Sequence, residues 1–140
     1  MSTSVTARKL SAPQKLILID LLASLFCALF GAVYEAFSHG VYSYAMLYAF
    51  AFPLVLGVLP LYLIGIFRAA YPPKALRSLW HAGIATLTVG SIVEGILEIY
   101  GTTNPLTAVY WLLGGALVLL GAVAYAVILL GKRKANRAAS

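Results

Sequence analysis

The sequence predicts an all-α polytopic membrane protein, a single-domain four-helix up-and-down bundle, on three observations. Of the 140 residues, 62% are hydrophobic and only 10% are charged, more apolar side chain than a soluble domain of this size can bury. The apolar residues fall into four runs, about 16–37, 43–67, 77–100 and 106–131. Each meets the roughly 20 residues that a 30 Å hydrocarbon core demands of a helix. The charges are also segregated. Asp20, Glu35, Glu94 and Glu98 lie within the runs, whereas Arg8, Lys9, Lys15, Arg68, Lys74, Arg77, Lys132, Arg133, Lys134 and Arg137 lie in the tails or one connecting loop. In lipid each backbone group must pair within its own segment, so the runs are helices; there are too few residues for a closed barrel.

The first run, Leu16–Phe37, is expected to be a retained helix. Asp20 interrupts the apolar core of any signal peptide, and Tyr34 stands where a cleavage site would need a small residue. Leu25-Phe26 before Cys27 does not suit a lipoprotein, and a lone cysteine forms no intramolecular disulfide. Asp20, Ser24, Cys27, Gly31, Glu35 and Ser38 follow one another at spacings of 4, 3, 4, 4 and 3. At 100° per residue they share a stripe about 60° wide, a polar seam turned inward on an otherwise greasy helix.

The second run, Ser43–Phe67, carries Pro53, Gly57 and Pro60 on one face, which predicts a kink, absorbed by packing or used as a gating hinge. Tyr71-Pro72-Pro73 separates it from the third run. There His81, Thr88, Ser91, Gly95 and Glu98 share one side, with Glu94 at its margin. Gly101-Thr102-Thr103-Asn104-Pro105 is the turn into the fourth run. That run's Gly114, Gly115 and Gly121 suit close helix approach or an oligomer interface.

The basic residues flank the runs as topology signals do, so the net charge of +6 points to a membrane rather than to nucleic acid. The basic tails 1–14 and 132–140 and the loop from Arg68 to Arg77 are expected on the cytoplasmic side of an inner membrane. An aromatic belt of Tyr34, Phe37, Tyr42, Tyr44, Tyr100, Tyr110 and Trp111 marks the outer side, and Phe67, Tyr71 and Trp80 the inner.

Heights along the first and third runs are directly comparable. Counted from Lys15 and Arg77, Asp20 rises about 7.5 Å and His81 about 6 Å, while Glu35, Glu94 and Glu98 rise about 30, 25 and 31 Å. Two polar layers are expected: Asp20 with His81 inside, and Glu35, His39, Glu94 and Glu98 outside, with Ser24, Cys27, Thr88 and Ser91 between. The outer layer holds three carboxylates and no Lys or Arg. Like charges and helix C-termini disfavour that much negative charge, so either the acids are protonated or a cation neutralises them. Glu35, His39, Glu94 and Glu98 form a one-nitrogen, three-oxygen set suited to a divalent metal. Haem is disfavoured, because His39 and His81 fall near opposite ends.

The segments Ser38-His39-Gly40-Val41-Tyr42-Ser43 and Gly83-Ile84-Ala85-Thr86-Leu87-Thr88-Val89-Gly90-Ser91, with Glu98-Ile99-Tyr100-Gly101-Thr102 after them, resemble segments of small uncharacterised bacterial membrane proteins. That resemblance implies the four-helix architecture and no activity. A general similarity to small multidrug-resistance transporters rests on size and on the acid in the first helix; the motif strings of that family are missing, and none of its functional residues carries over.

Two functions are expected to compete. One is a small cation- or proton-coupled transporter or channel, oligomeric because four helices enclose little space, in which Glu35, Glu94 and Glu98 capture a cation or proton and Asp20 and His81 pass it inward. The other is a non-transporting accessory or sensory subunit bound to a partner membrane protein. A metal-dependent enzyme using the outer cluster ranks third. No phosphate loop, nucleophile triad or nucleotide motif occurs.

Overall fold

A computed structural model describes residues 9–140; Arg8 and most of the expected N-terminal tail lie outside the described residues. The chain folds as α1 (Ala12–Ala36), α2 (Tyr44–Leu47), a π-helical segment (Phe52–Val58), α3 (Leu59–Ile66), α4 (Lys74–Ile99) and α5 (Thr107–Ala138), with no strand among the described residues. Four helical stretches are long and apolar enough to cross a membrane: Ala12–Ala36, Tyr44–Ile66, Lys74–Ile99 and Thr107–Ala138. Short connections make them antiparallel in sequence order. One end of the bundle carries Lys15, Arg68, Lys74, Arg77 and the basic end of α5; the other carries Glu35, Glu94 and Glu98.

Three helices exceed their expected bounds. α1 starts at Ala12 rather than near Leu16, because Gln14 Oε1 accepts the Ser11 N–H at 3.0 Å and caps the first turn, with Pro13 beside it. α4 starts at Lys74, directly after Pro73. α5 continues past Gly131 to Ala138, since Lys, Arg and Ala sustain a helix and nothing there breaks it. The segment expected as a C-terminal tail is therefore mostly helical. At 1.5 Å per residue α5 is about 48 Å long, more than the roughly 30 Å that a membrane-crossing helix needs.

α1 buries only Asp20, Ser24, Cys27 and Gly31. Leu22, Leu25, Phe26 and Leu29 point outward and exposed, the reverse of a water-soluble helix. The second stretch packs between α1 and α4, and α5 packs chiefly along α4. The bundle is thus a row more than a square: α4 is covered on two sides, and α5 shows most of its apolar surface outward.

Close approach is set by glycine notches. On α4, Gly83 receives Val118 and Gly90 receives Tyr110; on α5, Gly114 receives Leu87 and Gly121 receives Trp80. Both pairs are seven residues apart, so the two antiparallel helices interlock reciprocally. Gly115 has nothing within 4 Å and takes no part in this seam. Gly95 and Gly31 together receive Met46, which is 1% exposed and seats α2 between α1 and α4.

Candidate functional site

The second stretch is discontinuous, and its breaks carry most of the internal polar chemistry. After Leu47 the chain tightens: the Ala49 N–H turns to the Met46 carbonyl, which releases the Ala45 carbonyl. Ser91 Oγ on α4 donates to that carbonyl at 2.5 Å. Ser24 Oγ on α1 donates to the Phe50 carbonyl at 2.9 Å, just before the π-helical segment. Pro60 has no N–H for the Leu56 carbonyl one turn back, and Trp80 Nε1 donates to it instead, at 2.7 Å. The Ala45 and Leu56 carbonyls thus take from α4 the donors their own stretch does not supply, while the Phe50 carbonyl accepts from Ser24 in addition to the Leu54 N–H; such completion is the condition under which broken helices persist away from water.

This accounting predicts a double-mutant result. Trp80→Phe strips the Leu56 carbonyl of its donor and is expected to cost about 1–3 kcal/mol. Pro60→Ala restores a main-chain N–H, so adding it to Trp80→Phe should recover about 1 kcal/mol in detergent unfolding titrations. Strictly additive losses would show that the Leu56 carbonyl does not couple the two residues.

Against the π-helical segment lies the Asp20–His81 pair. Asp20 is 4% exposed. A Cβ on Gly57 would fall 2.6 Å from Asp20 Cγ, so only a glycine lets the carboxyl approach the broken helix. His81 Nδ1 is 2.9 Å from the Arg77 carbonyl and Nε2 is 3.1 Å from Asp20 Oδ2. A carbonyl only accepts, so Nδ1 carries a hydrogen. Nε2 then either donates to an Asp20 carboxylate, as imidazolium, or accepts from a protonated Asp20. Both forms hold one proton between oxygen and nitrogen and are neutral as a pair. Two lateral grooves meet at His81. One of about 360 Å3 between α1 and α4 is lined by Asp20, Cys27, Pro53 and Thr88. The other, of about 370 Å3, lies between the second stretch, α4 and α5.

The opposite end is built around Ser43, which caps α2: its Oγ accepts the Met46 N–H at 3.1 Å. The same Oγ donates to Glu98 Oε2 at 2.5 Å, and the Ser43 N–H donates to Glu35 Oε1 at 3.2 Å. Glu35 and Glu98 therefore converge on one residue of the second stretch. Glu94 does not join them; its Oε2 accepts from Trp111 Nε1 of α5 at 2.5 Å. His39 is exposed, in a left-handed turn (φ 56°) with Gly40 (φ 89°) after it, and makes none of these bonds.

The expected outer cluster is corrected accordingly. Glu35, His39, Glu94 and Glu98 do not assemble into a metal site, and no group of three or more His, Cys, Asp or Glu side chains able to hold a metal occurs among the described residues. The physical reason is that α4 has helices on two sides. Glu98 faces the second stretch and Glu94 faces α5, although they lie one turn apart. The inner pair stands as expected, Asp20 against His81. Ser43, which the sequence marks only as the first residue of the second run, is the residue that joins the two carboxyls; a serine at the start of a helical run is the signal of a cap. Trp80 and Trp111, expected in aromatic belts, also donate their indole N–H groups to a broken backbone and a carboxyl.

The arrangement defines an all-helical bundle with four membrane-length helices, a broken second helix and an internal carboxyl–imidazole pair. No protein-family model, no curated protein and no solved structure matches the chain.

Proposed function

We propose that the protein is a small proton-coupled transporter or channel of the inner membrane, with both termini cytoplasmic, and that the Asp20–His81 pair is its proton-carrying element. The carrying observation is a buried carboxyl in hydrogen-bond contact with an imidazole across two helices, against the break in a third. Ionisable groups inside membrane segments mark ion and proton paths, and discontinuous helices line such sites in transporters. Glu35 and Glu98 on Ser43, with Glu94 on Trp111, form the acidic entrance at the outer end. The bilayer surrounds the greasy faces of α1 and α5, and a second copy of the chain supplies the enclosure that four helices lack.

The test is proton flux in liposomes loaded with a pH-sensitive dye under an imposed potential. Asp20→Asn keeps the shape and can still donate a hydrogen bond to a neutral His81, but carries no exchangeable acid proton. It is expected to cut flux about 100-fold, the lower end of what a positioned proton-transferring group contributes. Wild-type flux no greater than that of empty liposomes would refute the reading.

That outcome would favour an accessory subunit. The observation behind this second reading is that Glu35, Glu94 and Glu98 each accept a bond from within the chain, as interhelical fasteners would. A partner membrane protein that co-purifies in mild detergent is then expected.

A further inference from the structure

Arg77 differs from the other basic residues. It is the one described Lys or Arg that is not exposed. Its guanidinium lies 4.6 Å over the Tyr71 ring, and Nη1 donates to Tyr71 Oη at 2.6 Å. Nε is shielded with no acceptor, and Nη2 donates to no protein atom among the described residues. No carboxylate neutralises it: the sole ion pair among the described residues is Asp20–His81. A cation so held, by an aromatic ring and a hydroxyl, is positioned and has donors to spare.

Arg77 lies on the wall of the 370 Å3 groove between the second stretch, α4 and α5. Leu61, Ile64, Leu76, Ala122 and Leu129 make its walls almost wholly apolar. Trp80 lines it, and Tyr125 Oη, also on its wall, is already used by the Ala70 carbonyl at 2.9 Å. Phe67, Ala69, Pro72 and Arg77 place one end of the groove at the basic end of the bundle. Its volume lies within the range of about 300–1,000 Å3 usual for ligand sites. An occupant must therefore be long and apolar along most of its length and anionic at one end.

We propose that this groove binds an anionic phospholipid of the surrounding leaflet, with an acyl chain along the apolar walls and the phosphate on Arg77. Interhelical basic pockets on the cytoplasmic side are suited to acidic headgroups. The site depends on the membrane placement proposed above but not on transport.

Trp80 reports on it directly. In a Trp111→Phe background, the protein is reconstituted into vesicles containing either brominated phosphatidylglycerol or brominated phosphatidylcholine, and quenching of Trp80 fluorescence is compared. The expected result is about fivefold stronger relative binding of the anionic lipid, the gain of one basic contact near the surface. Arg77→Gln should abolish that preference while phosphatidylcholine still quenches, and Arg77→Lys should restore most of it. Equal quenching by both lipids, or a preference that survives Arg77→Gln through the exposed basic residues of α5, would overturn the lipid site and leave the membrane placement intact. Absence of quenching by either lipid would overturn both.

Discussion

Gly83→Leu is expected to pull α5 away from α4 and to cost about 3 kcal/mol, the upper part of the range for overpacking a filled interior. A Cβ at this position would stand 2.7 Å from Val118 Cγ2, 2.9 Å from the Val118 backbone nitrogen and 3.1 Å from the Gly114 carbonyl oxygen. Two of those atoms are main chain, so no side-chain rotation relieves the clash, and the helix axes must separate. Separation would also withdraw Leu87 from Gly114 and Trp80 from Gly121, the reciprocal half of the seam. Gly115→Leu is the control: nothing lies within 4 Å of its Cβ position, and surface changes of that kind stay within about 0.5 kcal/mol. Denaturant titrations of the purified protein in detergent measure both. Equal losses for Gly83→Leu and Gly115→Leu would show that α5 is not seated by the notches.

His81→Leu is expected to destabilise the bundle by about 3 kcal/mol, because removing one partner leaves the other buried and unpaired. The stranded partner is Asp20, 4% exposed and walled by Gly57, with no second donor for its Oδ2. The reverse change, Asp20→Leu, should cost less. His81 keeps its bond to the Arg77 carbonyl, and its side chain is 25% exposed, against 6% for Asp20. Interhelical hydrogen bonds in membrane proteins are worth only about 0.6 kcal/mol on average. The large loss therefore comes from the unpaired carboxyl rather than from the bond itself. Asp20→Leu combined with His81→Leu removes both polar groups and should be milder than His81→Leu alone. A double variant as unstable as the sum of the two singles would mean that the residues do not act as a pair. The same stability measurements separate folding from function. Asp20→Asn should keep the fold and lose the flux, whereas His81→Leu should lose both.

Much of the arrangement along each helix was legible in the residues, because a helix turns at a known rate. Asp20, Ser24, Cys27 and Gly31 are spaced to share one stripe, and they are the residues that α1 buries. Asp20 and His81 stand at nearly the same height above the basic ends of parallel helices, and they meet. Pro53, Gly57 and Pro60 announced a disturbed second helix, and a π-helical segment with freed carbonyls stands there. Periodicity and rise are local quantities, and local quantities survive folding.

What depended on neighbours was not legible. Glu94 and Glu98 differ by one turn, yet one meets Trp111 of α5 and the other Ser43 of the second stretch. Nothing within α4 says which helix lies on which side. For the same reason nothing within α5 distinguishes Gly114 and Gly121, whose notches Leu87 and Trp80 fill, from Gly115, which has no neighbour. The chain's own pattern established four greasy helices, a polar seam on α1 and the matched positions of Asp20 and His81 along two parallel helices. Only the tertiary structure decided which neighbouring helix each inward-facing group meets. That choice is set by long-range packing of side chains into notches, and the packing turns Glu94 to Trp111, brings Glu98 and Glu35 to Ser43 and leaves His39 exposed.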